Sequence, residues 1–207
     1  MNSCPFSVSQ RRVRQPYRRP TIARVGEDED VLVVLMCGPI ASGKSALGRA
    51  VAGRLDEIAG SRCAVIDLDL VYEVLDPRGG LKGDRHLWAE ARRVAGGVAG
   101  VLLREGRSVV VEGGEFFTGE QLAEFEHELP EDAVVRLVRL EVDFETALRR
   151  ARADDSRGVS KDAAFLSRHY AKFRIDWGDR DALKLNTGSA SLAETARSVV
   201  DWLTLTR

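Results

Sequence analysis

Cysteine is scarce in this 207-residue chain. There are three, Cys4, Cys37 and Cys63, and none stands in a Cys-x-x-Cys pair. That argues against a disulfide-stapled scaffold and a zinc ribbon and fits a reducing compartment. Cys37 and Cys63 lie in apolar runs and read as small core residues. Long apolar runs are missing too. The longest, Val31–Cys37, is far short of the ~20 residues of a membrane helix. The N-terminus has no apolar stretch of the signal-peptide kind. The expectation is a cytoplasmic protein without a membrane partner. An excess of either charge is also lacking: 31 basic and 32 acidic residues give a net charge of −1, which argues against a simple nucleic-acid-binding body. The 44% hydrophobic content is enough for a core and excludes a fibrous or wholly disordered chain. The length suits one domain.

The balanced charge hides a local absence. Residues 1–26 contain no Asp or Glu but six arginines, Arg11, Arg12, Arg14, Arg18, Arg19 and Arg24, so the tail is +6 and the rest −7. Three of the six prolines, Pro5, Pro16 and Pro20, fall there as well. Few apolar residues and several helix breakers cannot offset the entropy of ordering. Residues 1–27 therefore read as a disordered Arg/Pro-rich tail and 28–207 as the folded domain. The tail alone keeps a polyanionic partner open.

From Val31 onward, short apolar runs alternate with longer helical patterns. Strands are expected at Val31–Cys37, Arg62–Asp67, Ser108–Glu112, Ala133–Val142 and Ala182–Asn186. Helices are expected at Ala46–Ala59, Arg85–Glu105, Gly119–Glu128, Phe144–Ala153, Lys161–Phe173 and Ser191–Leu203. The first strand is β-branched and uninterrupted, as in a strand buried on both faces. This order implies right-handed βαβ crossovers: an α/β fold with a five-stranded parallel sheet and helices on both faces.

Gly38-Pro39-Ile40-Ala41-Ser42-Gly43-Lys44-Ser45 fits G-x-x-x-x-G-K-[ST], after a strand and before a helix. Such a loop turns successive backbone N–H groups toward an anionic phosphate, and the helix N-terminus adds partial positive charge. Gly38 and Gly43 allow dihedrals and approaches that a Cβ hinders. Lys44 can reach the β- and γ-phosphates and Ser45 can ligate Mg²⁺. Lysine stands at the required place although the chain has only five lysines against 26 arginines. Gly38, Ala41, Ser42, Gly43, Lys44, Ser45 and Ala46 are the expected nucleotide-binding residues of a P-loop NTPase fold.

Carboxylates choose the reaction. Ile66-Asp67-Leu68-Asp69 closes the second strand, expected beside the first, and alternation along an extended segment puts both aspartates on one side. One can accept a proton from an acceptor hydroxyl and the other can hold a metal-bound water. Glu112 ends the third strand before Gly113-Gly114, where a carboxylate can orient Mg²⁺. Glu115 reads as a solvated loop acid. The expected metal set is Ser45, Asp67 and Glu112.

The loop, the Asp67-x-Asp69 pair and the strand ending Glu112-Gly113-Gly114 together resemble the P-loop small-molecule kinases, a group that includes shikimate, gluconate and adenylylsulfate kinases and chloramphenicol phosphotransferase. The resemblance spans about residues 31–205. It implies ATP and Mg²⁺ as cofactors and an aspartate after the second strand as base or substrate ligand, hence Asp67 or Asp69. It also implies a mobile lid near 150–160, whose arginines Arg149, Arg150, Arg152 and Arg157 close over the phosphates. A guanidinium suits the charge spread over a transferred phosphoryl group. Lys44, Asp67, Asp69 and Arg152 are then the catalytic candidates. Arg149 and Thr187 are nucleotide contacts, and Asp69, Arg85, Gly113, Gly114 and Arg157 are substrate contacts. Trp88 borders the acceptor region, while His86, His127 and His169 show no ligand spacing and read as surface or satisfied residues. The implied activity is phosphoryl transfer from ATP to a hydroxyl of a small molecule. A non-catalytic or regulatory nucleotide-binding protein and a 5′-hydroxyl polynucleotide kinase are the alternatives.

Overall fold

The computed structural model describes residues 31–59, 62–80 and 83–205. The tail expectation for 1–27 lies outside them. Five strands form one parallel sheet: β1 Leu32–Cys37, β2 Ala64–Asp67, β3 Val109–Glu112, β4 Val134–Glu141 and β5 Ala182–Asn186, in the order β2-β3-β1-β4-β5. β1 is central, and all six of its side chains are buried. Its residues alternate between two cores. Val33, Leu35 and Cys37 pack with α2 (Leu68–Leu75), α3 (Arg85–Arg104) and α4 (Gly119–Glu126). Leu32, Val34 and Met36 pack with α1 (Lys44–Ala59) and α7 (Leu192–Leu205) on the other face. The uninterrupted apolar run of the sequence is thus two alternating faces, both covered.

A third, smaller cluster sits at the carboxyl end of the sheet. There Ala41 and Val142 meet Ala147, Leu148 and Ala151 of α5 (Phe144–Ala153) and Leu166 of α6 (Ala163–Lys172). Between α5 and α6 lies a turn followed by a short 3₁₀ helix, Val159–Lys161. Cys37 is buried, Cys63 half-buried, and both are free. Among the described residues no helix is long and apolar enough to cross a membrane.

Two expectations about the second strand need correction. β2 lies not beside β1 but at the sheet edge, with β3 between them. And the chain does not stay extended through Asp69: it turns into α2 at Leu68. Asp67 caps that helix by accepting from the Asp69 N–H at 2.9 Å, and the apolar residues Leu68 and Tyr72 then bury one face of a helix that strand-like alternation had masked.

Candidate active site

The phosphate loop joins the carboxyl end of central β1 to α1, where a parallel sheet gathers its ligands. Its two glycines do different work. Gly43 adopts φ +92°, and Gly38 permits close approach: a Cβ there would stand 2.7 Å from Ser42 Oγ and 2.9 Å from Leu140 Cβ. Ala41 also takes a left-handed conformation, φ +63°, and is the sole non-glycine to do so among the described residues. The Lys44 ammonium donates to the carbonyls of Gly38 at 2.9 Å and Pro39 at 3.2 Å, lying across the loop it would share with a phosphate. Burial pushes its pKa down, while Cys37, Asp69 and Glu112 pull it back up.

Carboxylates gather beside this loop. The β2–β3 register places Asp67 opposite Glu112. Glu112 is 1% exposed, and its Oε2 accepts from Ser45 Oγ at 2.8 Å. Asp69 starts on α2, but its Oδ1 accepts from the Gly114 N–H at 3.1 Å, which brings it back to the end of β3. Gly113, at φ +83°, makes this possible: a Cβ would lie 2.7 Å from Asp67 Oδ1 and 3.2 Å from Asp69 Oδ2. Both aspartates thus reach one place, by a helix cap and a glycine pair and not by strand alternation. Burial, then Asp67, pushes the Asp69 pKa up. Burial also pushes Glu112 up, against the Ser45 hydrogen bond. Glu115 is half-buried, not solvated, and its pKa is raised by burial despite Arg92 and Arg85. Arg92, 3% exposed, donates to Glu124 at 2.6 Å and to the Glu115 carbonyl at 2.9 Å. Arg85 opens α3 at an exposed position.

On the other side of the loop lies a cavity of about 260 Å³, bordered by Ser42, Gly43, Ala46, Arg150, Thr187 and Leu192. Thr187 is buried; its hydroxyl donates to the Ser42 carbonyl at 2.8 Å and accepts from Arg150 Nη1 at 3.1 Å. Arg150 Nη2 donates to the Thr187 carbonyl at 2.6 Å. Arg150, not Arg149 or Arg152, is therefore the α5 arginine at the loop. Arg149 donates to Thr146 at 3.2 Å from an exposed position, and Arg152 is exposed. Arg157 pairs with Asp154 at 2.9 Å in the turn after α5, and its charge acts on Lys44. His169, which reads from sequence as surface or satisfied, accepts from the Ile40 N–H of the phosphate loop. No periodicity links residues 37 or 129 positions apart, so neither Arg150–Thr187 nor His169–Ile40 has a signal in the sequence.

The model of the AAA domain family matches residues 33–170, about two-thirds of the chain, including the loop, the carboxylates and the turn after α5. The chain belongs to the AAA domain family. No curated protein matches it. Its fold is that of P-loop small-molecule kinases. The APS kinase of Mycobacterium tuberculosis, solved with AMPPNP and APS, is 20% identical with TM-score 0.64, covering 86% of this chain and 99% of its own. A gluconokinase from Sinorhizobium meliloti is 19% identical with TM-score 0.59, covering 85% and 93%. Shikimate kinase from Bacteroides thetaiotaomicron is 16% identical with TM-score 0.50, covering 84% and 98%. At these identities the likeness is one of fold. The parallel five-stranded sheet, the loop after its first strand and the flanking helices are as expected from the sequence; the place of β2 and the presence of α2 are not.

Proposed function

We propose that this protein is a kinase that moves the γ-phosphoryl of ATP to a hydroxyl of a small molecule. The observation that carries the reading is the convergence of Ser45, Glu112, Asp67 and Asp69 beside Lys44 at the mouth of the phosphate loop. The kinases among the proteins that share its fold support it.

In this reading the loop amides hold the β- and γ-phosphates, and the nucleoside enters the cavity bordered by Arg150 and Thr187. Lys44 exchanges the Gly38 and Pro39 carbonyls for phosphate oxygens. Asp69 is the base. Asp67 is committed to the cap of α2 and sits in register with Glu112, whereas Asp69 is on the exposed side of the pair. The acceptor's O–H proton passes to the Asp69 carboxylate as its oxygen bonds to the γ-phosphorus. The bond from γ-phosphorus to the bridging oxygen breaks, leaving a phosphate ester and ADP. Arg157 and Arg152 are the lid charges that face the phosphoryl group when the segment closes.

The residues fit a Mg²⁺ ion. Glu112 is a buried carboxylate that accepts from the Ser45 hydroxyl, and Asp67, Asp69 and the Lys44 ammonium all act on it. Among the described residues no three acid, histidine or cysteine side chains form a closed metal cage. Mg²⁺ bound with phosphates needs only one or two carboxylates. Ser45, Glu112 and Asp67 would hold it, directly or through water, and it would neutralise phosphate charge.

The test is a panel of sugars, polyols, amino sugars and aromatic alcohols with Mg·ATP, read by ADP release and by ³¹P NMR for the ester. One class should yield an ester, with the rate abolished in Asp69→Asn. Nucleotide binding without an ester from any class, and with residual ATP turnover unchanged by Asp69→Asn, would favour a non-catalytic nucleotide-binding protein.

A further inference from the structure

We propose that His169 and Tyr170 are positioning residues that hold the phosphate loop in the shape that receives nucleotide; this rests on the reading of the loop as a nucleotide site. Both polar groups of one loop residue are taken by adjacent side chains of α6. The Ile40 N–H donates to His169 Nε2 at 3.3 Å, and the Tyr170 hydroxyl donates to the Ile40 carbonyl at 3.0 Å. The next residue, Ala41, is the one held at φ +63°. A left-handed conformation is unfavourable for a residue with a Cβ and persists where its surroundings over-determine it. Here they do so twice. Ile40 is pinned at both ends of its peptide groups, and the Ala41 methyl is buried among Val142, Leu148, Ala151 and Leu166.

Neither ring is loose. His169 lies 5.6 Å from Phe173, which meets Phe117 edge-on at 5.3 Å. Tyr170 meets Phe144 edge-on at 5.9 Å. The clamp has a condition: Nε2 accepts only while it carries no proton. Protonated, it would turn an N–H toward the Ile40 N–H. Burial and the Lys44 ammonium both disfavour that form and hold the His169 pKa below its usual 6.5. The Lys44 charge acts on the ring from the start of α1, and Asp69 and Glu112 act in turn on that ammonium. Phe173 and Tyr170 are neutral, and Arg168 and Lys172 are exposed on α6 itself. The clamp is therefore whole at neutral pH and is lost as pH falls below 6.5 through the folded value.

The test is calorimetric titration of the full chain with ADP and with AMPPNP between pH 5.5 and 8. The proteins compared are the unaltered chain, His169→Phe, His169→Gln and Tyr170→Phe, with near-ultraviolet dichroism as the check of fold. At pH 7.5, His169→Phe and Tyr170→Phe should each bind about 3- to 10-fold more weakly, the range expected for one lost hydrogen bond. His169→Gln, which keeps an acceptor, should restore affinity. Acidification should weaken the unaltered chain more than His169→Phe, a difference from which the nucleotide's own titration cancels. Unchanged affinity in both Phe variants would overturn the proposal. So would an affinity that rises on acidification through His169, which would make it a phosphate ligand instead. Failure of the unaltered chain to bind nucleotide at pH 7.5 would overturn the reading of the site itself, and the clamp with it.

Discussion

In the proposed reading the phosphate loop and the turn after α5 both set positive charge against phosphate, but they are built in opposite ways. The loop is held on every side: by Lys44 across its carbonyls, Thr187 on Ser42, and His169 and Tyr170 on Ile40. The turn is held by local contacts of its own: a half-exposed Arg157–Asp154 pair, the Ser156 N–H and hydroxyl on Asp154, and a longer Lys161–Asp155 contact at 3.7 Å. Surface pairs of that sort contribute little. A preorganised backbone cradle binds with little rearrangement beyond the Lys44 exchange, and an arginine held only by local contacts is free to move to where charge develops.

Changes on the loop side should therefore be more damaging than changes on the turn. Lys44→Ala should lower kcat/KM by about 10²–10³-fold, the scale for removing one preorganised charge stabiliser; steady-state kinetics with the accepted substrate measure it. Arg150→Ala, which opens the nucleoside cavity and frees Thr187, should raise the KM for ATP about 10-fold, consistent with losing hydrogen bonds from a charged donor, and leave kcat close to its original value.

Smaller effects separate folding from function. Asp69 has its pKa raised by burial and by Asp67, so its ionisation works against folding once pH rises through the unfolded value near 3.8, and fully so above the folded one. Asp69→Asn keeps an acceptor for the Gly114 N–H but drops the charge. Its Tm at pH 7 should rise only slightly, because the side chain is exposed and solvent screens its charge, while at pH 3 it should match the unaltered chain. The same raised pKa puts the acid limb of kcat/KM above the ordinary aspartate range. On the turn, Asp154→Ala releases Arg157 from a half-exposed pair and Ser156 from its two contacts to the same carboxylate, and turnover should stay within about 2-fold. A larger loss would mean the turn is as preorganised as the loop.

The same contrast explains how much could be read from the sequence. The loop's G-x-x-x-x-G-K-S spacing is local, as backbone geometry requires, so its residues were legible along with the strand before and the helix after. The carboxylates were legible as residue types at strand ends, but not their route together: the cap of α2 and the Gly113–Gly114 turn replaced strand alternation, and β3 displaced β2 from the centre. Arg150 was visible as one of four arginines, and nothing local singles it out over Arg149 or Arg152. The choice is made by Thr187, 37 residues away. His169 and Tyr170 owe their place to a helix packed on the loop from 129 and 130 residues downstream.

Everything proposed for the reaction depends on Asp69 as the group that takes the acceptor's proton. The most direct measurement compares Asp69→Asn with the unaltered chain for both nucleotide affinity and the rate of ester formation with the accepted alcohol. The account predicts affinity for ATP within about 2-fold and a rate lower by about 10²–10⁴-fold, the range of a general base. Ester formation by Asp69→Asn at an undiminished rate would contradict it.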